Sequence, residues 1–139
     1  MTKNKTYYQA ICYTTDHCDG DLIAPACWKP SASLNEAAIQ IMQEIEESFS
    51  GKIRTKNQPG PDYLVIECKH NSANSCEWDY KAIKNWKRSK KYIQQLQNWL
   101  AAGEIDTIMV TVPAYVNYAM VQIDERFDVF YINSFTLEE

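Results

Sequence analysis

The sequence predicts an α+β fold, an α/β sandwich with two helices packed on a mixed sheet of about five to six strands, in the order β-α-β-β-α-β-β-β. Three observations lead there. Short segments rich in aromatic and β-branched residues alternate with period two; two longer segments repeat apolar residues at helical spacing; and 139 residues with 45% hydrophobic content suit one compact domain, spanning 1–139.

The segment Thr6 to Thr14 reads as the first strand, with Tyr8, Ala10, Cys12 and Thr14 on one side and Tyr7, Gln9, Ile11 and Tyr13 on the other. From Thr15 to Ala32 two prolines, two cysteines and an Asp-Gly-Asp turn break every period, which predicts a long structured loop. Ser33 and Glu36 form a capping-box signature, followed by Leu34, Ala37, Ala38, Ile41, Met42, Ile45 and Phe49 at helical spacing. That predicts a helix from Leu34 to Phe49. Lys52 to Lys56 reads as a short edge strand ahead of a Pro-Gly-Pro turn.

Tyr63 to Cys68 is almost continuously apolar, the pattern of a strand covered on both faces, and it is placed with Ile105 to Val112 at the centre of the sheet. Between them, Asn74 and Glu77 offer a second capping box, and a long helix is expected to run to Ala102 and stop at Gly103. Tyr118 to Ile123 and Phe127 to Ile132, joined by Asp124-Glu125-Arg126, predict a terminal hairpin.

Charge and composition exclude several classes of function. A formal net charge of −4 disfavours a surface devoted wholly to nucleic acid. No apolar run approaches the roughly 20 residues of a membrane-spanning helix, and a cytoplasmic protein is expected. With four glycines and neither GxxxxGK[ST] nor GxGxxG, the chain lacks those phosphate cradles, and no cofactor is expected.

Five cysteines without CxxC spacing read as reduced thiols in such a compartment. Cys18, Cys27, Cys68, His70 and Cys76 include enough soft and imidazole donors for a zinc site, but their spacing is that of no finger or ribbon, so no metal is assigned. The same cysteines, with His17 or His70 as base, lack any nucleophile signature.

Glu67 and Lys69, an acid-x-lysine pair ending an apolar strand, resemble the metal-dependent PD-(D/E)xK nucleases, and the likeness extends over Glu44 to Val112, including Gln94 and Gln95 ahead of the strand at Ile105. The resemblance implies that Glu67 holds a divalent ion and Lys69 positions the attacking water. It also demands a second acid beside Glu67. Asp62, the only acid between Glu47 and Glu67, lies about 16 Å away along the same strand.

Lys81, Lys84, Arg88 and Lys91 fall at helical spacing and predict one basic stripe on the second helix, a place where nucleic acid can bind. Acids gather elsewhere, at Glu44, Glu46 and Glu47 and at Asp124, Glu125 and Asp128. Nine tyrosines and four tryptophans supply rigid interface anchors, among them Tyr115 and Tyr118. Without a complete catalytic set, these features predict an acidic module that binds and neutralises a basic protein partner, as an immunity protein does for a toxin or a phage inhibitor for a host defence system.

Overall fold

The computed structural model describes residues 4–16, 22–49, 64–71, 78–112 and 126–138. The elements are β1 (Asn4–Asp16), β2 (Leu22–Cys27), α1 (Leu34–Phe49), β3 (Leu64–Cys68), β4 (Asp79–Ile83), a 3-10 turn (Lys87–Ser89), α2 (Lys90–Ala101), β5 (Thr107–Val112) and β6 (Arg126–Glu138). The strands form one six-stranded sheet in the order β2-β1-β6-β5-β3-β4. Every pairing in it is antiparallel, which corrects the expected mixed sheet.

The longest ladder joins β1 to β6 without a break, from Asn4 opposite Glu138 to Asp16 opposite Arg126. Because paired residues in an antiparallel ladder share a face, this register sorts the whole sheet. Ala10 with Ile132 and Cys12 with Phe130 lie on one face, in line with Ile108, Val110, Leu64, Ile66, Cys68 and Ile83. Both helices pack on that face. Ala38, Ile41, Met42, Ile45 and Phe49 of α1 and Leu96 and Leu100 of α2 complete its core, and the Phe49 ring meets Phe130 edge to face at 6.3 Å.

Helix α1 begins as its sequence predicts, with one added residue. The Glu36 N–H donates to Ser33 Oγ at 3.2 Å, satisfying one of the helix's free donors. The Glu36 carboxylate, however, accepts from Ser31 Oγ, which also takes the Ser33 N–H. Ser31 thus stands where the backbone of Ser33 would close the capping box. The same Ser31 is tied to β1 by paired backbone bonds with Tyr8, fixing where α1 enters the fold.

Three other expectations are corrected. The long loop after β1 contains β2, whose Pro25 is tolerated because β2 is an edge strand with a register shift between Cys12 and Thr14, where one extra residue is accommodated. The expected long second helix is two elements. Asp79 to Ile83 pairs with β3 as an edge strand, and Asn85 then starts the turn, its Oδ1 accepting from the Arg88 N–H and its carbonyl from Ser89 Oγ. Finally β3 lies next to the edge, while β6 and β5 hold the centre. The expected strands at Lys52–Lys56 and Tyr118–Ile123, and the capping pair Asn74–Glu77, lie outside the described residues.

The end of α2 is a Schellman turn. Gly103, at φ +73°, donates to the Leu100 carbonyl, and Glu104 donates to that of Trp99. A Cβ on Gly103 would meet Leu34 Cδ2 only at 3.9 Å, so the need for glycine is conformational rather than steric. Gly103→Ala is therefore expected to cost about 1–2 kcal/mol. Phe130→Ala, which empties the centre of the core, should cost about 3–5 kcal/mol. Both are read from the midpoint of urea unfolding.

Candidate functional site

Two features stand out from the rest of the surface. The first is a polar cluster where β3 ends, β4 begins and α2 stops. The β3–β4 register sets Cys68 opposite Asp79 on the helix-facing side. Just past β3, His70 places Nε2 at 2.8 Å from Asp79 Oδ2 and Nδ1 at 3.2 Å from Glu104 Oε1. The Schellman turn holds Glu104 there, reinforced by the Asn71 N–H to the Glu104 carbonyl and by Asn71 Nδ2 to the Gly103 carbonyl. The Trp99 ring meets the imidazole edge-on at 4.5 Å and fixes its plane.

Cys68 is fully buried. Burial, and then the negative charge of Asp79, push its thiol up to about 11. The Tyr92 hydroxyl is pushed up in the same sense by burial, then by Cys68 and Asp79. Its oxygen is buried without a hydrogen-bond partner, while Lys81 Nζ sits 4.8 Å from the centre of its ring. A buried, neutral thiol whose neighbouring imidazole is engaged by carboxylates at both nitrogens is a poor nucleophile. It is a better ligand: the donor atoms of Cys68, His70 and Asp79 lie within 4.8 Å of one another, the one such group among the described residues.

The second feature is the sheet face turned away from the helices. It carries Tyr7 stacked on Phe135 at 5.8 Å and Tyr13 edge-on to Tyr131 at 5.9 Å, with Ile11 and Thr107 flanking Tyr131 in register. Tyr7, Ile11, Tyr13, Tyr131 and Phe135 are all half-buried, and among the described residues no helix covers them. Tyr131 lies near the middle of this face, on a strand with neighbours on both sides.

The residues singled out by sequence are scattered. Glu67 is half-buried on the same face as these aromatics, with Met109 and Tyr80 as its paired neighbours, so no acid stands opposite it on either adjoining strand. Lys69 follows β3 directly. Glu46 and Glu47 are exposed on α1, with Glu46 3.9 Å from Lys90, and Glu44 accepts from Ser48 within the helix. Asp128 is buried on the helix-facing side opposite Val110. Asp124, Glu125, Tyr115, Tyr118, Cys18 and Cys76 lie outside the described residues, and Cys27 is exposed on β2.

The basic stripe is corrected as well. Lys81 belongs to β4, Lys84 to the turn after it, Arg88 to the 3-10 turn and Lys91 to α2, because the helix that would have aligned them begins only at Lys90. Lys81 and Lys91 instead border a shallow groove with Tyr92, Gln94, Gln95 and Asn98. Among the described residues no helix is long and apolar enough to cross a membrane.

Models of known families, curated proteins and solved structures were all compared with the chain, and none matches it.

The perturbed thiol gives a direct check. Because the Cys68 value is raised, its reactive thiolate is scarcer than that of an ordinary cysteine at neutral pH and becomes abundant only as pH rises towards about 11. In metal-free protein, iodoacetamide at neutral pH should modify the exposed Cys27 well before Cys68, as peptide mass spectrometry would read.

Proposed function

We propose that this chain is a protein-binding module that inhibits or neutralises a basic partner protein, in the manner of an immunity protein against a toxin or a phage-encoded inhibitor of host defence. The observation that supports the reading is the half-buried aromatic sheet face centred on Tyr131. Tyrosine and phenylalanine give large contact areas at small entropic cost, and a strand-borne array is rigid before binding. Such a face favours recognition over chemistry.

The exposed acids of α1 belong to the opposite layer, since α1 packs on the other side of the sheet. A partner seated on the aromatic face does not touch Glu46 or Glu47. Their role in this reading is to contribute to the field that draws a basic partner in, which changes association rate more than residence time.

The nuclease alternative rests on Glu67 and Lys69 and draws no support from their surroundings. Glu67 has an apolar and an aromatic neighbour across the ladder where the family requires a second carboxylate.

The test is a binding titration between the purified chain and a partner recovered from its native host. Tyr131→Ala, checked for intact folding by circular dichroism, should weaken binding by at least about 30-fold, chiefly through faster dissociation. The double variant Glu46→Lys, Glu47→Lys should slow association several-fold, and more at low salt. Magnesium- or manganese-dependent cleavage of DNA or RNA that disappears with Glu67→Ala, with Tyr131→Ala inert, would replace this reading with the nuclease.

A further inference from the structure

We infer that Cys68, His70 and Asp79 form a binding site for a divalent transition-metal ion of the zinc class, with Glu104 as the residue that orients the histidine. The inference is independent of the sheet face and uses a different side of the molecule.

Donor chemistry comes first. A sulfur, an imidazole nitrogen and a carboxylate oxygen together suit zinc or cobalt rather than magnesium or calcium, which take oxygen ligands. Zinc bond lengths of about 2.0–2.3 Å in a tetrahedron separate neighbouring donors by about 3.3–3.8 Å. The three donors already lie within 4.8 Å of one another, and the closest pair, His70 Nε2 and Asp79 Oδ2, is at 2.8 Å. Adjustments of about an ångström, within reach of side-chain rotation, bring the set around one ion.

The arrangement beyond the three donors fits the same reading. A metal-binding imidazole commonly gives its other N–H to a carboxylate, which fixes the tautomer and aims the free nitrogen at the ion. Glu104 stands 3.2 Å from Nδ1, on the far side of the ring from Nε2, and the Schellman turn of α2 holds it there. Trp99 keeps the ring from turning away. Tyr92, with its buried and unpartnered hydroxyl, belongs to the same neighbourhood. Three protein ligands leave a fourth position for water or another small ligand.

A divalent cation there would compensate the Asp79 carboxylate and take Cys68 as a thiolate ligand. The competing account is a hydrogen-bonded clasp, in which His70 bridges two carboxylates and ties the β3–β4 end to the stop of α2. That clasp needs no sulfur, and it gives Cys68 no role beyond filling space.

The experiment titrates the chelator-stripped full chain with Co²⁺ and then displaces it with Zn²⁺. Expected are saturation at a single ion per chain, a thiolate-to-cobalt charge-transfer band and the visible bands of a tetrahedral site. Cys68→Ser should abolish the charge-transfer band and Cys27→Ser should leave it intact. Glu104→Gln should keep the band and weaken affinity about 10–100-fold. If Cys68→Ser does not fold, Asp79→Asn and Glu104→Gln decide, since both side chains are substantially exposed. Absence of a charge-transfer band in the unmodified chain, or unchanged affinity in both of those variants, would overturn the site in favour of the clasp.

Discussion

The uninterrupted ladder between β1 and β6 is the constraint on which the remaining structure depends. It pairs residues as distant as Asn4 and Glu138, and so closes most of the chain into one loop. β2 lies on the other edge of β1 and β5 on the other edge of β6; β3 and then β4 extend the sheet from β5. The register also decides sidedness. A slip of β6 by one residue would exchange Phe130 and Ile132 for Val129 and Tyr131 beneath the helices. Which residues pack against α1 and which face away is therefore a single choice.

That sidedness organises the chemistry. The helix-facing side is a dense apolar core that also buries Asp128, and at one end of it Cys68, His70, Asp79 and Glu104 meet. Four separate pieces of chain supply it: the last residue of β3, the turn after it, the first residue of β4 and the turn closing α2. Trp99 of α2 stands edge-on to the His70 ring, so the helix that covers the sheet also shapes the cluster. The opposite side presents an aromatic surface borne on two long strands, a rigid platform with no such metal-ligand cluster among the described residues. The proposed recognition face and the proposed ion site are thereby separated by the thickness of the sheet.

Local signals were legible wherever the physics is local. The apolar period from Leu34 to Phe49, the Ser33 hydroxyl at its start and the glycine at position 103 each act through neighbours within a turn of helix, and each does in the structure what its spacing implies, while the Glu36 carboxylate reaches Ser31 in place of the Ser33 backbone. Asp79 to Ile83 lies within a segment whose sequence predicts helix, with Asn74 and Glu77 as its start. The free edge of β3 captures it instead, and pairing outweighs propensity in a five-residue segment. The apolar stretch ending at Cys68 suggested a central strand. Val65 and Glu67 are in fact only half-buried, on the face that no described helix covers.

By itself, then, the sequence determined the residue types, the α1 helix, the glycine stop of α2 and the alternation that makes β1 two-faced, because these depend on spacing along the chain. Cys68 and His70 were visible in it as possible ligands. Their partners were not, because Asp79 and Glu104 belong to elements brought near only by strand pairing and by the turn that ends α2. Tertiary structure likewise decided the all-antiparallel order of the sheet and the separation of the acidic helix from the aromatic face. Both follow from which edges pair, a contest between distant segments that no local window records.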